Sequence, residues 1–141
     1  MITPLRVEVP LGEVVDRLTI LDLKISRLPS ADARANALRE RDALREAWRS
    51  CGLGAQAGQA EEQLEWRPLS EVNLRLWEVE DALRHHEALQ RFDGDFVSLA
   101  RSVYQLNDER AALKRAINLR LGSRLVEEKS YPDYRAPSHL M

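Results

Sequence analysis

The apolar residues of this chain fall on helical spacing over most of its length, and the beat breaks in one place. Leu11, Val14, Leu18, Leu21, Ile25 and Leu28 recur at alternating intervals of three and four, which places them on one face of a helix. Leu69, Val72, Leu76, Val79, Leu83 and His86 repeat the pattern, and so do Phe92, Phe96, Leu99, Val103 and Leu106. The third series resumes at Leu113 and Ile117, but the position between, 110, carries an arginine. A guanidinium in an apolar seam needs a partner, because an unpaired buried charge is very costly.

The breakers stand between these series. Pro10 precedes the first and suits a helix start, where its missing N–H costs nothing. Pro29 stops that helix, and Ser30 can cap the next. Residues 31–50 are rich in alanine and arginine, with a thinner seam of Ala37, Leu44 and Trp48. "CGLGAQAGQA", from Cys51, reads as a loop, and Pro68 starts or kinks the following helix. "FDGDF" at 92–96 predicts the tight turn of a helical hairpin, with aspartates able to cap. Gly122 is a good C-cap residue. At the N-terminus "LRVEV" alternates apolar and polar residues, as a short strand or extended arm does, and such an arm must pair or lie on the helices.

The expected fold is therefore all-α, an antiparallel helical hairpin or bundle of three to four helices with a short N-terminal extended arm. The arm takes 1–10, the N-terminal helices 11–50, a loop 51–60, the hairpin 61–121 and a tail 122–141, which either drapes over the bundle or is partly disordered. Helices this long leave seam unfilled within one subunit, so a homodimer is expected.

Composition narrows the function classes. With 141 residues, one domain is expected. A net charge of -2 gives no global pull toward nucleic acid or an anionic membrane. The six basic residues between 101 and 124 do not share a face, and read as a solvated helix surface rather than a nucleic-acid interface. The lone Cys51 excludes an internal disulfide and fits a reducing compartment. No apolar run approaches the roughly 18 residues of a membrane helix, and the N-terminus lacks a signal-peptide core. A cytoplasmic protein is expected.

Candidate chemistry gathers around Arg110. A hairpin turn centred near residue 93 places Arg110 level with Leu76 and Trp77, within about one 5.4 Å turn of Asn73 and Glu80. Asn73, Trp77, Glu80, Arg84 and Glu87 form a stripe beside the seam, and Asn107, Arg110 and Lys114 form a facing one. One reading pairs Glu80 with Arg110 to set the hairpin register. The other makes a pocket for a small anion, with Arg110, Lys114, Arg84 and Lys24 as carboxylate or phosphate binders. The candidate ligand-binding set is Lys24, Asn73, Glu80, Arg84, Asn107, Arg110 and Lys114.

Complete catalytic or metal constellations are not legible. "EEQLE" at 61–65 followed by "EVED" at 78–81 resembles the acidic signature of all-α nucleotide pyrophosphohydrolases. However, a turn at Pro68 leaves the two groups offset by roughly 15 Å along the helix axis. A chorismate-mutase-like dimer matches in residue types only. His85 and His86 are adjacent, about 100° apart on a helix, and cannot share a metal from one face. No metal and no cofactor are expected. "GLGAQAG" lacks the lysine of a phosphate loop, and Cys51 has no histidine nearby in sequence.

Four stretches carry a family likeness: "LGEVVDRLTILDLK", "LWEVEDALR", "FVSLARSVYQLNDERAALKRAIN" and "EEKSY". In order and spacing they resemble a bacterial family of short proteins classified only as a domain of unknown function. The resemblance implies a small all-helical protein and supplies no activity. The expected function is a non-catalytic helical scaffold or accessory protein that offers a surface to a partner protein. The alternative is a small-anion-binding helical pocket, possibly an enzyme.

Overall fold

The helix ends lie where single residues favour them. In the computed structural model, which describes residues 1–53 and 66–135, α1 spans Leu11–Arg27 and follows Pro10 directly. The Ser30 hydroxyl accepts from the Ala33 N–H at 3.3 Å and starts α2, Ala31–Trp48. A kinked turn, Arg49–Leu53, follows. Helix α3, Trp66–Ala88, holds Pro68 in its first turn, where no helical hydrogen bond is lost. The Asp93 carboxylate accepts from the Phe96 N–H at 3.1 Å and caps α4, Gly94–Leu121. Gly122 closes α4 in the left-handed region at φ 68°, and the Ser123 N–H donates to the Asn118 carbonyl at 2.8 Å. The loop expected at 51–60 is described only over its first three residues. "EEQLE" lies outside the described residues, so the pyrophosphohydrolase signature has no geometry to weigh.

Helices α3 and α4 form the antiparallel hairpin. Helix α1 packs across both at their base, and α2 packs on α1. The core sits at that base. Val15, Trp48, Leu69 and Ile117 form one buried cluster, with the Trp48 and Trp66 rings edge to face at 6.2 Å. Val72, Leu76 and Leu106 form a second. Each fully buried side chain of this kind contributes about 1.5–3 kcal/mol.

Two expectations shift. In α1 the buried residues are Gly12, Val15, Asp16, Leu18, Thr19 and Leu21, while Leu11, Val14, Ile25 and Leu28 are half-buried. The helix is covered on two sides, and the side facing the hairpin is lined largely by small and polar residues. The arm is exposed and without regular secondary structure, and the described residues contain no strand. Its ordered contact is Glu8, whose carboxylate pairs with Arg124. From Gly122 the described part of the tail runs back along α4, bonded to Lys114, Arg115 and Asp108.

Candidate functional site

At the base, α1 meets α4 through three polar layers. The lowest is at the helix ends, where Asn118 Oδ1 accepts the Gly12 N–H at 2.6 Å and Ser123 Oγ accepts the Leu11 N–H at 3.0 Å. These satisfy two first-turn donors of α1 that have no partner within the helix. Only glycine permits this approach, since a Cβ on residue 12 would lie 2.3 Å from the Lys114 carbonyl oxygen. One turn further, Lys114 Nζ donates to Glu13 at 2.7 Å and to Glu127 of the tail at 3.3 Å.

The third layer contains Arg110. Asp16 is almost fully buried, at 1 % exposure. Its Oδ1 accepts from Arg110 Nε and Asn73 Nδ2, both at 2.9 Å, and its Oδ2 accepts from Arg110 Nη2 at 2.5 Å. Asn73 Nδ2 also donates to the Thr19 hydroxyl at 2.8 Å, and that hydroxyl donates to the Asp16 carbonyl at 2.7 Å. The result is a bidentate ion pair tying α1 to α4, with α3 joined through Asn73. Charge-assisted bonds of this kind are about twice as strong as neutral ones.

These pairings set the protonation states. The hydrogen bond to Asp16 raises the Arg110 pKa against the opposing effect of burial. For Lys114, burial favours the neutral form, but the bond to Glu13 and the surrounding carboxylates outweigh it and raise the pKa. Glu127 is held below its ordinary value, mainly by its hydrogen bond to Lys129, against burial and with help from Lys114.

The partner of Arg110 is thus Asp16, and Glu80 instead pairs with Arg84 at 3.1 Å on the α3 surface. The reason is register. Arg75 lies opposite Glu109 at 3.8 Å, and the His86 ring lies 6.0 Å from Phe96, which brings Arg110 level with Asn73. The turn, residues 89–93, is centred earlier than expected, and Gln90 takes a φ of 54° within it.

Five of the seven candidate residues nevertheless line one groove. Asn73, Glu80, Arg84, Asn107 and Arg110 face a hollow of about 490 Å³ between α1, α3 and α4, with Ile20, Leu23, Leu76 and Trp77 as its apolar wall. Arg110 Nη1 reaches Asn107 Oδ1 only at 3.5 Å. Lys24 and Lys114 lie outside this groove, and Lys24 makes no ion pair among the described residues. Asp16, Glu13, Thr19 and Gly12 complete the arrangement but were not among the candidates.

A larger groove of about 1070 Å³ runs between α4 and the tail, over Asn107, Arg110 and Lys114. Asp108 holds its far end, accepting from the Tyr134 hydroxyl at 2.6 Å and from Arg135 at 2.9 Å. The Tyr104 and Tyr134 rings meet edge to face at 4.9 Å, and the Arg135 guanidinium lies 4.6 Å from the Tyr134 ring centre. The bond to Asp108 raises the Tyr134 pKa.

Among the described residues no group of His, Cys, Asp or Glu could hold a metal ion, and no helix is long and apolar enough to cross a membrane. These features define an all-helical protein whose hairpin base is joined to α1 by paired polar groups. The chain belongs to a family of unknown function, DUF6165, whose profile matches residues 5–139, from within the arm to beyond the clasped tail. No curated protein and no solved structure matches it.

Proposed function

We propose that the protein is a non-catalytic helical scaffold that presents the free end of the α3–α4 hairpin to a partner protein. The observation that supports this is the apolar surface of that end. Leu89, Phe92 and Val97 are each about half exposed, at 52 %, 52 % and 51 %. Phe92 also meets the Phe96 ring edge to face at 5.1 Å. Clustered apolar side chains on a projecting helix pair suit insertion into a hydrophobic groove. The cations at the base, by contrast, are already matched by carboxylates of the same chain.

A photo-crosslinker placed at Val97 tests the reading. A single saturable adduct is expected, competed by unlabelled protein and not by the folded Phe92→Asp variant. Adducts that the variant competes equally well would overturn it.

A second reading, a small-anion site in the α1–α3–α4 groove, has one observation in its favour: Arg84 and Arg110 line the same hollow, and Arg110 Nη1 is only loosely held. Thermal unfolding against anionic metabolites and nucleotides tests it. A ligand at about 100 times its dissociation constant adds roughly 2.7 kcal/mol. That shift should vanish in Arg84→Ala, and a flat response across the panel would remove the reading.

A further inference from the structure

Two segments of this chain, residues 1–9 and 125–133, carry no regular secondary structure. No backbone–backbone hydrogen bond joins residues 1–9 or 124–135 to any described residue. Free N–H and C=O groups on an extended segment are a template for pairing with another extended segment.

The arm has the side-chain pattern for such pairing. Leu5, Val7 and Val9 fall on one side of an extended chain, and Arg6 and Glu8 on the other. That apolar side is uncovered: Ile2 is 94 % exposed, Leu5 90 % and Val7 71 %. Water is a poor environment for an alternating apolar edge, and a lone strand has no stability of its own.

The tail supplies the matching surface. Between it and α4 lies the larger groove, whose lining joins Val103, Tyr104, Ala111 and Tyr131 to the charged Arg110 and Lys114. Asp133 also lines it; its Oδ1 accepts the Arg135 N–H at 2.9 Å, and its second oxygen can meet Arg6 of an incoming arm.

We propose that the arm of one copy lies in the α4–tail groove of a second copy, and reciprocally, so that two chains form a symmetric dimer by exchanging arms. A two-fold arrangement uses the same arm and groove on both copies and closes after two chains. Residues 1–9 and the groove lining together make a patch of the size found in stable dimers, roughly 20–30 residues a side. The second copy is favoured over the chain's own groove by the path of the arm. It is held at its root, by Glu8 on Arg124 and the Leu11 N–H on Ser123, yet beyond Glu8 it leaves its own tail uncovered. The proposal does not use the hairpin end and stands apart from the scaffold reading.

Sedimentation across a wide concentration range tests it on the intact chain. The wild type is expected at twice the monomer mass. The combined Leu5→Asp and Val7→Asp variant should fall to half that mass with unchanged helical circular dichroism, and Phe92→Asp should remain dimeric. A wild type that is monomeric throughout would overturn the proposal. So would a dimer that survives the arm variant, or one lost in Phe92→Asp.

Cysteine crosslinking separates exchange from folding back. In a Cys51→Ser background, Val7→Cys with Ala111→Cys should oxidise to a covalent dimer. A crosslinked monomer would place the arm in its own groove and sink the exchange.

Discussion

The two ends of the hairpin are built from the same helices and the same seam, yet they bury very different amounts of it. At the base, where α1 packs on both helices, Leu69, Val72, Leu76, Leu106 and Ile117 are buried. Toward the free end, Val79, Leu83, Phe96, Leu99 and Val103 are half-buried, and Phe92 is exposed. A helix pair alone covers one stripe of each helix, and a third helix is needed to seal it. Helix α1, at 17 residues, is shorter than α3 at 23 and α4 at 28, so it seals only the base. Regular spacing therefore marks which residues can be buried, and the length of the covering helix decides which are.

The largest test of the comparison is Arg110→Leu. If the arginine served binding alone, a leucine in the seam would keep or raise stability. Its role in the base predicts the reverse, because the substitution strands the Asp16 carboxylate at 1 % exposure. Losing one partner of a buried pair costs about 3–5 kcal/mol. Urea denaturation of Arg110→Leu, Asp16→Leu and the double variant should give a double-variant loss clearly smaller than the sum of the two singles. Additive losses would mean the pair is not the connection between α1 and α4.

Next in size is Gly12→Ala. The added Cβ meets a backbone carbonyl oxygen, which cannot move without shifting α1 from α4. Overpacking of this kind costs about 1–3 kcal/mol. The same substitution at Gly94, where a Cβ meets nothing within 4 Å, should stay within about 0.5 kcal/mol of wild type. Equal midpoints for the two variants in urea would show that the close contact does not hold α1 down.

These residues also mark what the sequence makes legible. Ser30, Asp93 and Gly122 act on their own neighbours, so three helix boundaries follow from local chemistry. The seams of α3 and α4 follow from periodicity, and Arg110 stands out because it interrupts one. Its partner does not, since Asp16 lies 94 residues away on another helix. Hydrophobic spacing is blind to Gly12, Asp16 and Thr19, which line a contact face without any apolar signal. The Glu80 pairing failed for a smaller reason. The hairpin turn lies a few residues earlier than its glycine and aspartates imply, and that moves Asn73 into the place opposite Arg110. Nor does any local signal tie Tyr134 to Asp108, because tail and helix meet only in the fold.

A smaller effect comes from the layer shared with the tail. Glu127 has a folded pKa below its ordinary 4.5. Its contribution is therefore present above that unfolded value and lost as pH falls through the lower folded one. Lys114 has a folded pKa above 10.5, so its contribution is complete below that value and lost as pH rises through the higher one. The contribution of these two groups should be constant between those limits and decline outside them. In Glu127→Gln the acid decline should become shallower while the alkaline one persists through Glu13. Unfolding midpoints measured across pH, with an acid limb unchanged from wild type, would show that Glu127 is not titrating against the fold.

The smallest effect should be at the free end, and its smallness is the sharpest contrast with the base. Val97 is 51 % exposed on the first turns of α4. Val97→Asp buries no charge and breaks no pair, and a carboxylate near a helix N-terminus is weakly favourable. Its stability should therefore lie within about 0.5 kcal/mol of wild type, with the consequence confined to partner capture. If Val97→Asp instead destabilises as strongly as a substitution in the core, the free end is covered in solution by something that α1 and α2 do not provide. The two ends of the hairpin would then differ in what covers them rather than in how well they are covered.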